Sequence, residues 1–139
     1  IQGFYHAFEG DFIIEENCEA WLHGPVFRNV YNRYSSYRFD PIERVEEFDI
    51  SVFTTAEKTI IDSVIKNFCC YSGKTLEAFT HMEEPWLRTR GGLPAQSHSD
   101  WIIEKELIGQ YFKALKDKYN MLTPSDIECY SVERFEQIK

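Results

Sequence analysis

The stretch from Thr54 to Phe68 constrains the fold more than any other part of the chain. Thr54 stands three residues before Glu57, the spacing at which a threonine hydroxyl and a glutamate carboxylate satisfy each other's backbone N–H groups at a helix start. Ile60, Ile61, Val64, Ile65 and Phe68 then recur on one helical face, interleaved with Lys58, Asp62, Ser63, Lys66 and Asn67. A capped helix with one apolar stripe must lay that stripe against other elements. The segment therefore predicts a helical domain with this helix at its centre.

The flanking sequence follows the same logic. Ile1, Phe4, Tyr5 and Phe8 form a helical stripe that Gly10 ends, since glycine tolerates the left-handed turn at a helix C-terminus. This stripe begins on the first residue without a cap signal, and the expectation is a helix whose start lies upstream. Asp11 to Ile14 and Cys18 to Leu22 are short apolar-rich runs around Glu-Glu-Asn and read as the two arms of a small antiparallel hairpin. Gly24-Pro25 breaks the pattern. Pro25 suits the first position of a helix, carrying Val26, Phe27, Val30, Tyr31 and Tyr34 at helical spacing. Ser35 to Phe53 reads as a loop region with a turn at Asp40-Pro41 and a short strand at Ile42 to Val45.

Beyond the central helix, Ser72 caps a short helix through Leu76 and Phe79 to Thr80. Pro85-Trp86-Leu87 opens another, which Gly91-Gly92 ends, and Gly91 to His98 has the composition of an exposed loop. Ser97 or Ser99 caps a long helix carrying Trp101, Ile102, Leu107, Ile108, Tyr111, Phe112, Leu115 and Tyr119. Thr123-Pro124-Ser125-Asp126 is a further helix start, leading into Ile127, Tyr130, Phe135 and Ile138. The expected fold class is mainly α, one compact helical domain with a small β-hairpin.

Composition narrows the function. The net charge of -8 repels a phosphate backbone, so nucleic-acid binding is disfavoured. No apolar run reaches the roughly 18 residues that span a bilayer, and no signal sequence opens the chain, so the expected setting is cytoplasmic with no membrane partner. Four cysteines, Cys18, Cys69, Cys70 and Cys129, include no Cys-x-x-Cys pair and read as reduced, mostly buried thiols with no metal role. Acids gather at Glu43, Glu46, Glu47 and Asp49. They suit a solvated loop or, more sharply, a surface for a basic partner.

Signatures of catalysis are missing. Ser72-Gly73-Lys74-Thr75 ends like a phosphate-binding loop but lacks the upstream glycine and the preceding strand. His23 and His81 could build a metal site with Glu19 or Glu84, or a general base with a carboxylate. The simpler reading has each imidazole tying a helix end or loop to neighbouring backbone. Trp21 and Trp86 are either core residues or binding anchors, and their places beside a turn and a helix start favour the core. Arg88 and Arg90 read as solvated.

Two segments remain distinctive. Glu19-Ala20-Trp21 runs into His23-Gly24-Pro25-Val26 and Val30-Tyr31, and Tyr71-Ser72-Gly73 with Leu76 runs into Thr80-His81 through Pro85-Trp86. With Gln2-Gly3-Phe4-Tyr5, Gly10 and Phe12-Ile13 ahead of them, this ordered set resembles the Panacea antitoxin family, which includes SocA-like and prophage-associated GepA-like proteins. The resemblance covers Gln2 to Trp86 and weakens after Gly92. It implies one Panacea domain over residues 1–139, and a non-enzymatic antitoxin that neutralises a cognate toxin encoded nearby. It implies no cofactor and no catalytic or metal-binding residues. One SocA-like member instead delivers its toxin to a Clp-type AAA+ protease, which makes a proteolytic adapter the alternative. Trp21, His23, Gly24, Pro25, Val26, Tyr31, Thr80, His81, Pro85 and Trp86 are the motif residues, structural or partner-binding. A small enzyme using His23 and His81 is the third reading.

Overall fold

A computed structural model describes residues 1–44 and 47–139. Helix α1 (Gln2–Glu9) ends at Gly10, whose φ of 78° and N–H bond to the His6 carbonyl close the last turn. Strands β1 (Cys18–Trp21) and β2 (Gly24–Phe27) follow, then α2 (Arg28–Tyr34) and a 3₁₀ turn at Ser35–Tyr37. A second 3₁₀ turn, Ile50–Val52, precedes α3 (Thr55–Phe68). Next come α4 (Gly73–Thr80), α5 (Glu84–Arg90), β3 (Ile102–Ile103), α6 (Lys105–Lys118), a 3₁₀ turn at Pro124–Asp126 and α7 (Ile127–Ile138). The fold is mainly α with a three-stranded antiparallel sheet ordered β2-β1-β3.

The capped helices start where their sequences direct. The Thr54 hydroxyl accepts from the Glu57 N–H at 3.2 Å while the Glu57 carboxylate accepts from the Thr54 N–H at 2.7 Å. The Ser72 hydroxyl accepts from the Thr75 N–H, and Asp126 accepts from the Thr123 N–H. The stripe of α3 delivers Ile60 and Val64 into a core shared with Phe4, Leu115, Met121, Ile127 and Tyr130. At Gly3 helices α1 and α6 touch: an added Cβ would lie 2.1 Å from the Phe112 ring, so α1 reaches α6 only because this residue has no side chain. Phe112 also borders a second core of Cys18, Ala20, Trp86, Ile103 and Ile108. Helix α6 thus joins the helical core to the sheet.

Several local expectations are corrected. Asp11–Ile14 is not a strand. The buried Gln2 amide donates to the Ile14 carbonyl and accepts from its N–H, both at 2.8 Å, and so occupies the groups a strand would offer a neighbour. The hairpin instead pairs β1 with β2 around Leu22-His23, in the register Cys18↔Phe27 to Trp21↔Gly24. Pro25 sits in β2, an edge strand where a missing N–H is tolerated, and Val26 and Phe27 are strand rather than helix. No strand forms over 41–44, and Val45 lies outside the described residues. Trp101 and Ile102 precede the long helix: Ile102–Ile103 pairs with Glu19 and Cys18, and the Ser99 hydroxyl accepts from the Trp101 N–H instead of capping α6. The cysteines are not mostly buried, because only Cys18 is; Cys69, Cys70 and Cys129 are exposed. No described helix is long and apolar enough to cross a membrane.

Candidate partner-binding site at the hairpin

Strand alternation builds the site. Cys18 and Ala20 point into the core, so Glu19 and Trp21 face outward. On that outer face the Trp21 indole N–H donates to Glu19 at 2.7 Å, and the Arg28 Nε donates to the other carboxylate oxygen at 2.9 Å. The bonds from Arg28 and then Trp21 hold the Glu19 carboxyl below the usual carboxylate range. The Arg28 guanidinium lies 5.3 Å from the Trp21 ring, and Tyr31 meets that ring edge-on at 4.9 Å. Trp21, Arg28 and Tyr31, with His23, Val26 and Asp100, line an open groove of about 690 Å³. Its chemistry is a half-exposed aromatic wall with one fixed ion pair, suited to contact with another surface.

The second distinctive segment anchors the hairpin from behind. The Trp86 indole N–H donates to the Trp21 carbonyl at 2.8 Å. Arg90 donates to the Ala20 carbonyl at 3.3 Å and to the Ser97 carbonyl at 2.7 Å, with its guanidinium 5.0 Å from the Trp86 ring. On Trp86 the His81 ring stacks at 4.1 Å and 18°. Pro85 is buried in the first turn of α5, where no N–H is required. Gly24 holds a φ of 126°, and a Cβ there would come 3.0 Å from the Thr80 hydroxyl. The two segments, far apart in sequence, are therefore the two sides of one joint.

The motif residues divide between these roles. Trp21, His23, Val26 and Tyr31 border the groove, Gly24, Thr80, Pro85 and Trp86 form the joint, and Pro25 is exposed on the edge strand. Trp86 is 9% exposed and belongs to the core, whereas Trp21 is only partly covered. Arg90 is a correction to the solvated reading: it is buried at 4% exposure, with backbone carbonyls as its partners. Arg88 is exposed beside Glu84.

The two histidines do share a cavity, of about 380 Å³, with Glu77, Trp86 and Arg90. The expected partners are elsewhere, however: Glu19 is engaged by Arg28 and Glu84 by Arg88. His23 Nδ1 lies 2.9 Å from the Glu77 carboxylate, and that bond holds the Glu77 carboxyl below its ordinary range. His23 thus meets a side chain rather than backbone, and the buried Nε2 of His81 has no hydrogen-bond partner among the described residues. Among the described residues no three His, Cys, Asp or Glu side chains gather to hold a metal ion.

Sequence reasoning missed the roles of Glu77 and Arg90, whose hairpin partners His23 and Ala20 lie 54 and 70 residues away and leave no local pattern. It also missed a buried cluster behind α5, where the Tyr130 hydroxyl donates to Glu83 at 2.6 Å and Arg134 donates to the Tyr111 hydroxyl at 3.0 Å. Burial pushes the Glu83 carboxyl above its ordinary range.

No curated protein and no solved structure matches the chain. Residues 1–87 match the family described as antitoxin SocA-like, Panacea domain, a span that contains the hairpin, Trp86 and the aromatic wall of the groove but not Arg90 or Asp100. With well over half its length matched, this chain belongs to the SocA-like antitoxin family with a Panacea domain.

Proposed function

We propose that this protein is the antitoxin of a toxin–antitoxin pair, binding a cognate protein toxin encoded by a neighbouring prophage gene and blocking it by direct contact in the cytoplasm. The family match over residues 1–87 carries the reading. The geometry supports it, because the matched segments hold a half-exposed aromatic groove on a rigid hairpin instead of assembling a reactive centre. Trp21, His23, Val26 and Tyr31 are the contact residues in this reading. Gly24, Pro25, Thr80, His81, Pro85 and Trp86 shape the surface that presents them. Residues 1–139 act as one domain, since Phe4, Ile60 and Val64 of the matched part share a core with Leu115, Met121, Ile127 and Tyr130 beyond it. The reading needs no turnover and no cofactor.

Co-expression with the adjacent reading frame tests it. The expected outcome is rescue of growth together with a stoichiometric complex. Rescue without a complex, lost in a host lacking Clp-type protease, assigns the adapter mechanism instead. A harmless neighbour that does not co-purify removes the antitoxin reading.

A further inference from the structure

From Arg28 to Phe53 no described residue is buried, although the segment is rich in large apolar side chains. Phe39 is 103% exposed, and Ile42, Phe48, Ile50 and Val52 are each more than half exposed. Helix α2 leads out of the groove at Tyr31, and the 3₁₀ turn after it ends at Arg38 with a φ of 51°. The exposed run therefore follows the groove wall directly along the chain, and its described residues 35–44 and 47–53 form an exposed arm. Isolated apolar residues on a surface are ordinary, but a concentration of them along one segment marks a contact surface.

Charge decides what kind of surface can cover it. Between Ser35 and Phe53 the sequence holds Asp40, Glu43, Glu46, Glu47 and Asp49 against two bases, Arg38 and Arg44. A second copy would bring the same negative charge to the contact, on a chain whose net charge is already -8. Nucleic acid and an anionic bilayer are repelled in the same way. A basic protein surface with apolar clefts satisfies both features, because its cations meet the carboxylates while its clefts take the aromatic and branched side chains.

We propose that the arm made of residues 35–44 and 47–53 is the main docking element for the toxin, and that the toxin face it covers is basic with apolar clefts. This rests on the antitoxin reading above. In it, Phe39 and Phe48 anchor the contact and the acids steer its approach.

The test measures binding of the purified neighbouring gene product by the whole protein and by two variants, Phe39→Ala/Phe48→Ala and Glu43→Lys/Glu47→Lys. A synthetic amphipathic Lys/Leu helix serves as a second probe, with a Glu/Leu helix of the same pattern as its control. The altered residues are exposed, so an unchanged melting temperature certifies the fold of each variant. Loss of hot-spot anchors weakens binding by about 30-fold or more, and charge reversal slows association and flattens its salt dependence. Equal binding of the gene product by all three proteins overturns the arm while leaving the antitoxin reading intact. If the gene product does not bind but the Lys/Leu helix does, with loss in both variants, the arm stands and the antitoxin reading falls. If neither probe binds the wild type, or both helices bind alike, the arm proposal is refuted.

Discussion

Cys18 is held in conditions opposite to those of the other three cysteines. It is buried under the sheet, and burial with neighbouring Glu19 and Glu16 pushes its thiol from 9.0 up to about 12. A disulfide-exchange reagent should titrate Cys69, Cys70 and Cys129 quickly in the native protein and reach Cys18 only on unfolding. The same shift sets a sign for alkaline stability. The unfolded chain loses this proton near 9 and the folded chain near 12, so the contribution is complete below 9 and declines as pH rises between the two. A Cys18→Ala variant should lose that slope in denaturant titrations over the window, even if its stability at neutral pH changes. Gly24 supplies a second residue-scale test. Gly24→Ala places a side chain at φ 126° and close to the Thr80 hydroxyl, and should cost about 1–3 kcal/mol, read as a lower denaturation midpoint. Tyr130→Phe removes the buried donor to Glu83 and should cost about 1–3 kcal/mol.

Among elements, the joint between the hairpin and α5 is held by single groups. Trp86→Phe keeps most of the ring but leaves the Trp21 carbonyl without its donor, and should cost about 1–3 kcal/mol. Amide exchange should then accelerate in β1 and β2 while α3 stays protected. Thr54→Ala breaks the capping box of α3 and should cost about 1 kcal/mol. These two sites also show what was legible in sequence. The α3 cap lies within four residues, and its geometry follows from chemistry local to the helix start; Ser72 and Thr123 were readable for the same reason. The hairpin was misplaced because its arms are fixed by distant partners: Gln2 takes Ile14 out of contention, and β3 arrives from beyond residue 100. Ile102 and Trp101 were drawn into the long helix because their apolar character extends its stripe by one turn, and only the pairing with Glu19 reveals the strand. At the site, Trp21 and Trp86 stood out by type and place. Glu77 and Arg90 did not, since an acid and a base on short helices have no local mark of burial or long-range pairing.

Across the whole molecule, the buried cores and the exposed apolar segment occupy different parts of the chain. Cores on both sides of α6 draw on α1, α3, α5, α7 and the sheet, and residues 28–53 add no buried side chain among those described. Substitutions such as Phe39→Ser should therefore leave the unfolding free energy from urea titration within about 0.5 kcal/mol of wild type, whereas Ile60→Ala should cost about 2–5 kcal/mol; comparable losses from both would contradict the division. The joint has a further consequence. Trp86 and Arg90 hydrogen-bond β1 through its main-chain carbonyls, and Trp86 packs in one core with the inward-facing Cys18 and Ala20 of that strand. Every residue type presents the same carbonyl, so the grip cannot tell which side chains the strand displays on its outer face. Positions such as Glu19 and Trp21 can therefore change side chain without breaking these two bonds, which leaves the outer face of the strand free to vary while its backbone stays anchored.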